Sequence, residues 1–275
     1  MHEVRFRGLL RPRRVIQLAA VWEEKAASGR FFRFLGPLVK RSKSLRTCIY
    51  VDGYNLYYGR LYGTEYKWLD VVALFSEMVR TVQPVSQVVA VKFFTAPALA
   101  RFATHGNASM QAQNEYHRAL ASRYPALFEV VLGTHTWEPN GTALPAFVDG
   151  QPFDKTNTVR VWRIVEKKTD VNLALSMYRD ASKAEVEQVV LVSNDSDAEP
   201  ALRALTQDFP NLKVGVVMPL REVTADGKKG RPASRALQDF AHWCRTYIRD
   251  DELQRAQLPP QVPTRKKPAR KPAHW

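Results

Sequence analysis

The stretch Gln188-Val189-Val190-Leu191-Val192-Ser193-Asn194-Asp195-Ser196-Asp197 constrains the chain most tightly. A short unbroken apolar run, rich in β-branched residues, has no polar face to offer solvent. It therefore predicts a strand covered on both sides, the condition of parallel sheets between helical layers. The strand should sit mid-sheet. Two carboxylates follow it directly, and open α/β sheets bind ligands outside the carboxyl ends of their strands.

Two further acids fall at comparable places. Thr47-Cys48-Ile49-Tyr50-Val51 reads as a second buried strand, followed at once by Asp52 and a turn through Gly53, Tyr54 and Asn55. Asp170 opens a helical pattern in which Val171, Leu173, Ala174, Leu175, Met177 and Tyr178 form an apolar face. Strands over 88–94, 127–132 and 212–218 and helices over 69–79, 110–122 and 233–248 complete an alternation of strand and helix. That alternation predicts a doubly wound α/β fold. Such a fold gathers Asp52, Asp170, Asp195 and Asp197 at one sheet edge.

Four ionised acids at one edge repel each other by roughly 4 kcal/mol per pair at about 4 Å and an effective dielectric near 20. A hard divalent cation offsets that cost, and carboxylates with few other ligands suit Mg²⁺ or Mn²⁺. Bound ions of this kind activate water and steady both oxygens of a phosphodiester displacement. Each acid also has a plain structural reading: Asp197 can cap the helix after it, and Asp170 is favoured near a helix N-terminus without any function.

At these residues the chain resembles a known family. Val51-Asp52-Gly53-Tyr54-Asn55-Leu56, Glu166-Lys167-Lys168-Thr169-Asp170-Val171 and Val192-Ser193-Asn194-Asp195-Ser196-Asp197 resemble, in order, the three motifs of the NYN domain (LabA-like) family of PIN-like ribonucleases. The segment Gln113 to Leu120 resembles that family's helix before the third strand. The resemblance implies a three-layer α/β/α, PIN-like (Rossmann-like) domain with a central parallel sheet and a Mg²⁺ or Mn²⁺ site for RNA cleavage. Asp52, Asp170, Asp195 and Asp197 match the family's acids, and Asn55 and Ser193 its polar positions. Asn194 stands where a glycine is common, which suggests a positive φ there, and Ala198 replaces a frequent aromatic. Glu115 is the candidate for a further helix-borne acid.

The ends of the chain differ from its middle. The net charge is +14, yet residues 1–46 carry twelve Lys or Arg against three acids and residues 253–275 carry six against none, so the body is nearly neutral. This divides the chain into a basic N-terminal extension over 1–45, a nuclease-like domain over 46–250 and a basic, proline-rich tail over 251–275 that reads as disordered. Basic extensions neutralise phosphates without regard to sequence. In the N-terminal one, Phe31, Phe32 and Phe34 alternate with Arg30 and Arg33, while Val15, Leu18, Ala19 and Trp22 fall at helical spacing.

Residues 136–165 interrupt the alternation and predict an inserted β-hairpin with an edge strand from Thr158 to Val165. Arg160, Trp162, Arg163, Lys167 and Lys168 interleave aromatic and basic groups close to the acids, which suits single-stranded nucleic acid. Tyr54, Tyr57, Tyr58 and Tyr62 crowd the loop after Asp52, either to stack a base or to pack on the next helix. A glycine-flanked basic loop, 226–231, has no phosphate-loop spacing. His105, His117 and His135 read as lone structural histidines, and Cys48 and Cys244 imply no disulfide framework. With no secretory signal and no long apolar span, the chain reads as cytoplasmic, with no membrane partner. The resulting expectation is a metal-dependent ribonuclease acting on single-stranded RNA. The alternative is a catalytically silent RNA-binding or assembly module of the same fold.

Overall fold

Strand β1, Leu45–Asp52, shows why the fold has layers: Cys48 and Tyr50 point to one apolar core, Ile49 and Val51 to another, and all four are buried. A strand with apolar side chains on both faces needs helices on both faces. The computed structural model describes residues 44–222 and 231–275. The readings made above for residues 1–43 and for most of the 226–231 loop lie outside the described residues.

In chain order, β1 leads into a short helix α1, Gly53–Leu56, and a π-helical turn, Tyr57–Leu61. Helix α2, Val71–Val82, follows, capped by the Asp70 side chain on Ala73 N at 2.9 Å. Strand β2, Ser86–Thr95, helix α3, Asn107–Arg123, and strand β3, Phe128–Leu132, complete the first half. An antiparallel excursion comes next: β4, Thr134–Thr136, β5, Thr142–Pro145, β6, Thr158–Val161, and β7, Val165–Lys167. Here β5 pairs with β6 and β4 with β7, so the expected single hairpin is two stacked ladders, and the long edge strand is two short ones.

The second half runs through α4, Thr169–Ser182, β8, Gln188–Val192, α5, Glu199–Asp208, and β9, Lys213–Val217. A four-residue helix α6, Arg235–Gln238, then gives way to a sixth strand, β10, Trp243–Arg245. This corrects the helix expected over 233–248. Val214 O accepts from His242 N and Arg245 O from Met218 N, so the ladder outbids a helix there. Gly215 permits the pairing, because a Cβ on it would lie 2.2 Å from the Trp243 ring.

All six strands of the main sheet are parallel, in the order β10-β9-β8-β1-β2-β3. Helices α2 and α3 bury Leu74, Phe75, Tyr116 and Leu120 on one face; α4, α5 and α6 bury Met177, Leu202, Leu205 and Leu237 on the other. The expected three-layer α/β/α arrangement is therefore present. The chain reverses direction across the sheet between β1 and β8, and crevices at such switch points are where ligands bind.

The tail is not disordered. Helix α7, Asp250–Arg255, and the two-residue strands β11, Gln261–Val262, and β12, Ala269–Arg270, pack on the domain, burying Leu253, Leu258, Val262 and Ala269. Its prolines do not oppose order, because their carbonyls are used as acceptors: Trp68 Nε1 donates to Pro259 O at 2.8 Å and Ser122 Oγ to Pro263 O at 2.9 Å. Trp275 packs its ring against Trp68 and Tyr116. Among the described residues no helix is long and apolar enough to cross a membrane.

Candidate active site

Register places the site. Val51 of β1 lies opposite Val192 of β8, so the next residues, Asp52 and Ser193, leave the sheet side by side at the switch point. Asp52 caps α1: its Oδ1 accepts from Asn55 N at 2.9 Å and its Oδ2 from Ser193 Oγ at 3.0 Å. Gly53 has to be glycine, since a Cβ would meet the Phe93 ring at 2.7 Å and Phe94 O at 2.8 Å.

The loop after β8 is tied to this centre. Asn55 Oδ1 accepts from Asn194 N at 2.9 Å, Ser193 Oγ from Asp195 N at 3.0 Å, and Asp195 Oδ1 from Asp197 N at 3.1 Å. Asn55 thus spends its oxygen on holding the loop. Asp197 does not cap the following helix: the cap of the preceding 3₁₀ turn is Asp195, and the N-cap of α5 is Ala198. Asn194 does not take a positive φ either. Its side chain instead clamps a second loop, donating to Pro232 O at 3.0 Å and accepting from Ser234 N at 2.8 Å.

Asp170 sits in the first turn of α4, where the helix dipole favours a carboxylate. The turn before it is unusual, because Lys168 is left-handed with φ +76°. Gly133 makes room for that turn, as a Cβ there would lie 2.3 Å from Thr169 Oγ1. Thr169 Oγ1 in turn donates to Glu166.

Electrostatics joins these segments. Burial pushes the Asp52 carboxyl from an ordinary 3.8 up to about 6, a rise that its hydrogen bonds from Asn55 and Ser193 only partly offset and to which Asp170 and Glu166 add. Asp170 is raised by desolvation and then by Asp195 and Asp197. Glu166 is raised by desolvation, against its Thr169 hydrogen bond, and by Asp170. Asp170 thus acts on Asp52 and Glu166, Glu166 on Asp52, and Asp195 and Asp197 on Asp170, and no ion pair to Lys or Arg relieves any of these acids among the described residues.

Glu166 is the acid that sequence reasoning passed over. Its signal was its place in the motif that ends in Asp170. Glu115, by contrast, pairs with Arg118 and accepts from Arg270 N at 3.2 Å, so it serves the tail. The convergence does not amount to a ready-made ion site: among the described residues, no three His, Cys, Asp or Glu side chains stand so that they could hold a metal.

The basic and aromatic residues near the acids divide. Arg160 braces its own hairpin on Asn140 O and Gly141 O, at 3.1 and 3.2 Å. Trp162 is half exposed, with the Arg101 guanidinium 4.8 Å above its ring and Phe102 at 5.6 Å. Arg163, Lys167 and Lys168 are exposed. Tyr54 donates its hydroxyl to the His135 ring or accepts from it at 2.9 Å, and Glu166 helps raise its pKa, so it stands beside the acidic rim.

The family model of the NYN domain matches residues 46–226, most of this domain and all of the acidic motifs. The chain belongs to the NYN domain family. Its central parallel six-stranded sheet flanked by helices fits the α/β, PIN-like NYN fold. The chain is 35% identical over 250 residues to 6-hydroxy-3-succinoylpyridine 3-monooxygenase HspA of Pseudomonas putida, covering 85% of this chain and 76% of that protein. It is also similar to a crystal structure of a protein of unknown function from Vibrio parahaemolyticus, with 22% identity, a TM-score of 0.44 and coverage of 76% of this chain and 96% of that one.

Proposed function

We propose that this NYN protein is a metal-dependent ribonuclease whose site is the carboxylate edge at the ends of β1 and β8. The observation that carries the reading is that three separate segments bring carboxylates within electrostatic reach, Asp170 acting on Asp52 and Asp195 and Asp197 acting on Asp170, with no Lys or Arg ion-paired to them among the described residues. An all-oxygen, uncompensated donor set suits Mg²⁺ or Mn²⁺. Those four aspartates would hold the ion, and they must draw together to do so, since they do not stand in a coordinating arrangement beforehand. When bound, such an ion supplies charge neutralisation and a more acidic water for attack on a phosphodiester.

The chain's own groups fix the rest. Ser193 Oγ orients the Asp52 carboxylate, and Asn55 holds the backbone of the 193–197 loop. Glu166 adds to the charge that the ion offsets. Exposed Arg163, Lys167 and Lys168, with Trp162, offer phosphate and base contacts to single-stranded RNA. The test is cleavage of single-stranded and structured RNA with Mn²⁺, Mg²⁺ or chelator, with Asp195→Asn as control. Metal-dependent cutting abolished by the substitution supports the reading; RNA binding without turnover supports a silent binding module.

A second reading is favoured by the relative's name: oxygenation of a hydroxypyridine-like ring. An aromatic-walled cavity beside Tyr54 is consistent with it. That reaction needs O₂ and a two-electron donor, so its assay is oxygen uptake with reduced nicotinamide and 6-hydroxypyridine-3-carboxylate.

A further inference from the structure

Beside the acidic edge lies a cavity of about 540 Å³, within the roughly 300–1,000 Å³ of small-molecule sites. Its walls come from distant parts of the chain: Tyr58 from the π-helical turn and Tyr62 just after it, Phe102 and His117 from the middle, and His274 and Trp275 from the last two residues. Single π-helical turns are uncommon and often mark functional sites. This one is pinned by Gly59, where a Cβ would lie 2.5 Å from Pro219 O, and it presents a run of tyrosines outward.

Those tyrosines are poorly explained as core. Tyr58 and Tyr62 are 62% and 61% exposed, yet they are organised: Tyr54 and Tyr58 stack at 6.0 Å with 24° between planes, and Tyr58 and Tyr62 lie 6.0 Å apart. Large rings held in order and left open offer π-faces to another ring. Two imidazoles stand in the same wall. His274 Nε2 is buried without a hydrogen-bond partner among the described residues, 4.5 Å separating its ring from that of His105. His117 makes ring contacts to Phe93 and Tyr116, and burial lowers its pKa to about 4, so it is a neutral imidazole able to donate or accept. Gln113 is not available, since its amide is spent on Ala98 N and Ala96 O.

We propose that this cavity binds a planar nitrogen-heteroaromatic ring, stacked on the tyrosines and hydrogen-bonded by His117 and His274. An aliphatic or lipid ligand would leave the imidazole nitrogens unanswered; a ring bearing nitrogen and oxygen atoms answers both the π-faces and the imidazoles. Two sources share this chemistry: a base of an RNA strand lying at the acids, and a free heteroaromatic acid whose carboxylate meets Lys67 at the cavity lining. The proposal stands apart from hydrolysis at the carboxylates.

The experiment is calorimetric titration of the full chain in chelator with AMP, UMP, 6-hydroxypyridine-3-carboxylate and, as a ringless control, ribose 5-phosphate. Saturable binding of the ring compounds alone is expected. Tyr58→Ala and His274→Ala should each weaken it at least about fivefold, the low end for losing one stacking or hydrogen-bonding partner, while Tyr58→Phe keeps it. Tyr58 is exposed enough for its variants to fold. Tighter AMP or UMP assigns the site to a nucleobase, and tighter hydroxypyridine to a free acid. No saturable ring binding, equal binding of ribose 5-phosphate, or indifference to both alanine variants overturns the proposal. A protein that binds rings but cuts no RNA sinks the hydrolysis reading alone.

Discussion

Ser193 Oγ donates to Asp52 Oδ2 at 3.0 Å across 141 residues of sequence. The pairing exists because β1 and β8 are neighbours in register at the point where the sheet reverses. It holds a carboxylate that is only 6% exposed and raised to about 6, so a charge is kept where solvation alone does not favour it.

Asp52→Asn removes that charge while keeping an acceptor for Asn55 N. RNA cleavage should be lost. Metal-free stability at pH 7.5 should rise by on the order of 1–3 kcal/mol, because the desolvation of an ionised group disappears. Chemical denaturation in chelator reads the second effect, and a loss of stability there contradicts the account of the buried charge.

The same group sets a pH dependence. The folded pKa of Asp52 is raised from 3.8 to about 6, so between these values the folded state binds more protons than the unfolded one. Its stabilising contribution is complete below pH 3.8 and is lost as pH rises through about 6. Mn²⁺ competes with the proton for the carboxylates, so it should raise the melting temperature more at pH 7.5 than at pH 5. Equal shifts at both values would place the ion elsewhere.

Asn194→Ala cuts the two hydrogen bonds that hold Pro232 and Ser234. The expected cost is about 1–2 kcal/mol, with faster amide exchange at Ser234 and with Asp52 still bonded to Ser193. Exchange unchanged at Ser234 would show that the clamp is idle.

Leu253→Ala tests the tail. Leu253 is fully buried in α7, so truncation should cost about 2–4 kcal/mol by equilibrium unfolding. A disordered tail would give no change.

Period and composition carried a large share of this. The apolar runs ending at Val51 and Val192 each had one physical solution, a covered parallel strand, and the acids after them had to fall on one edge. Helices α2, α3 and α4 were legible as helices, but of the apolar face expected for α4 only Leu173 and Met177 are buried, while Val171, Leu175 and Tyr178 are exposed. Local pattern failed where distant partners decided. Phe240, Ala241 and Cys244 have helical spacing, but Val214, Gly215 and Met218 recruit that segment as a strand. The prolines of 259–272 argue against regular structure only until Trp68, Ser122 and Lys271 use the carbonyls beside them.

Sequence by itself determined the layered α/β fold and that Asp52 and Asp195 follow buried strands, because both come from side-chain periodicity and from where strands end. Only the tertiary structure decided that Glu166 belongs with those acids, that Asn194 is a clamp, and that the final Trp275 closes an aromatic cavity. Each depends on contacts between residues far apart in the chain, and no local pattern of charge or hydrophobicity encodes which distant surface a segment will meet.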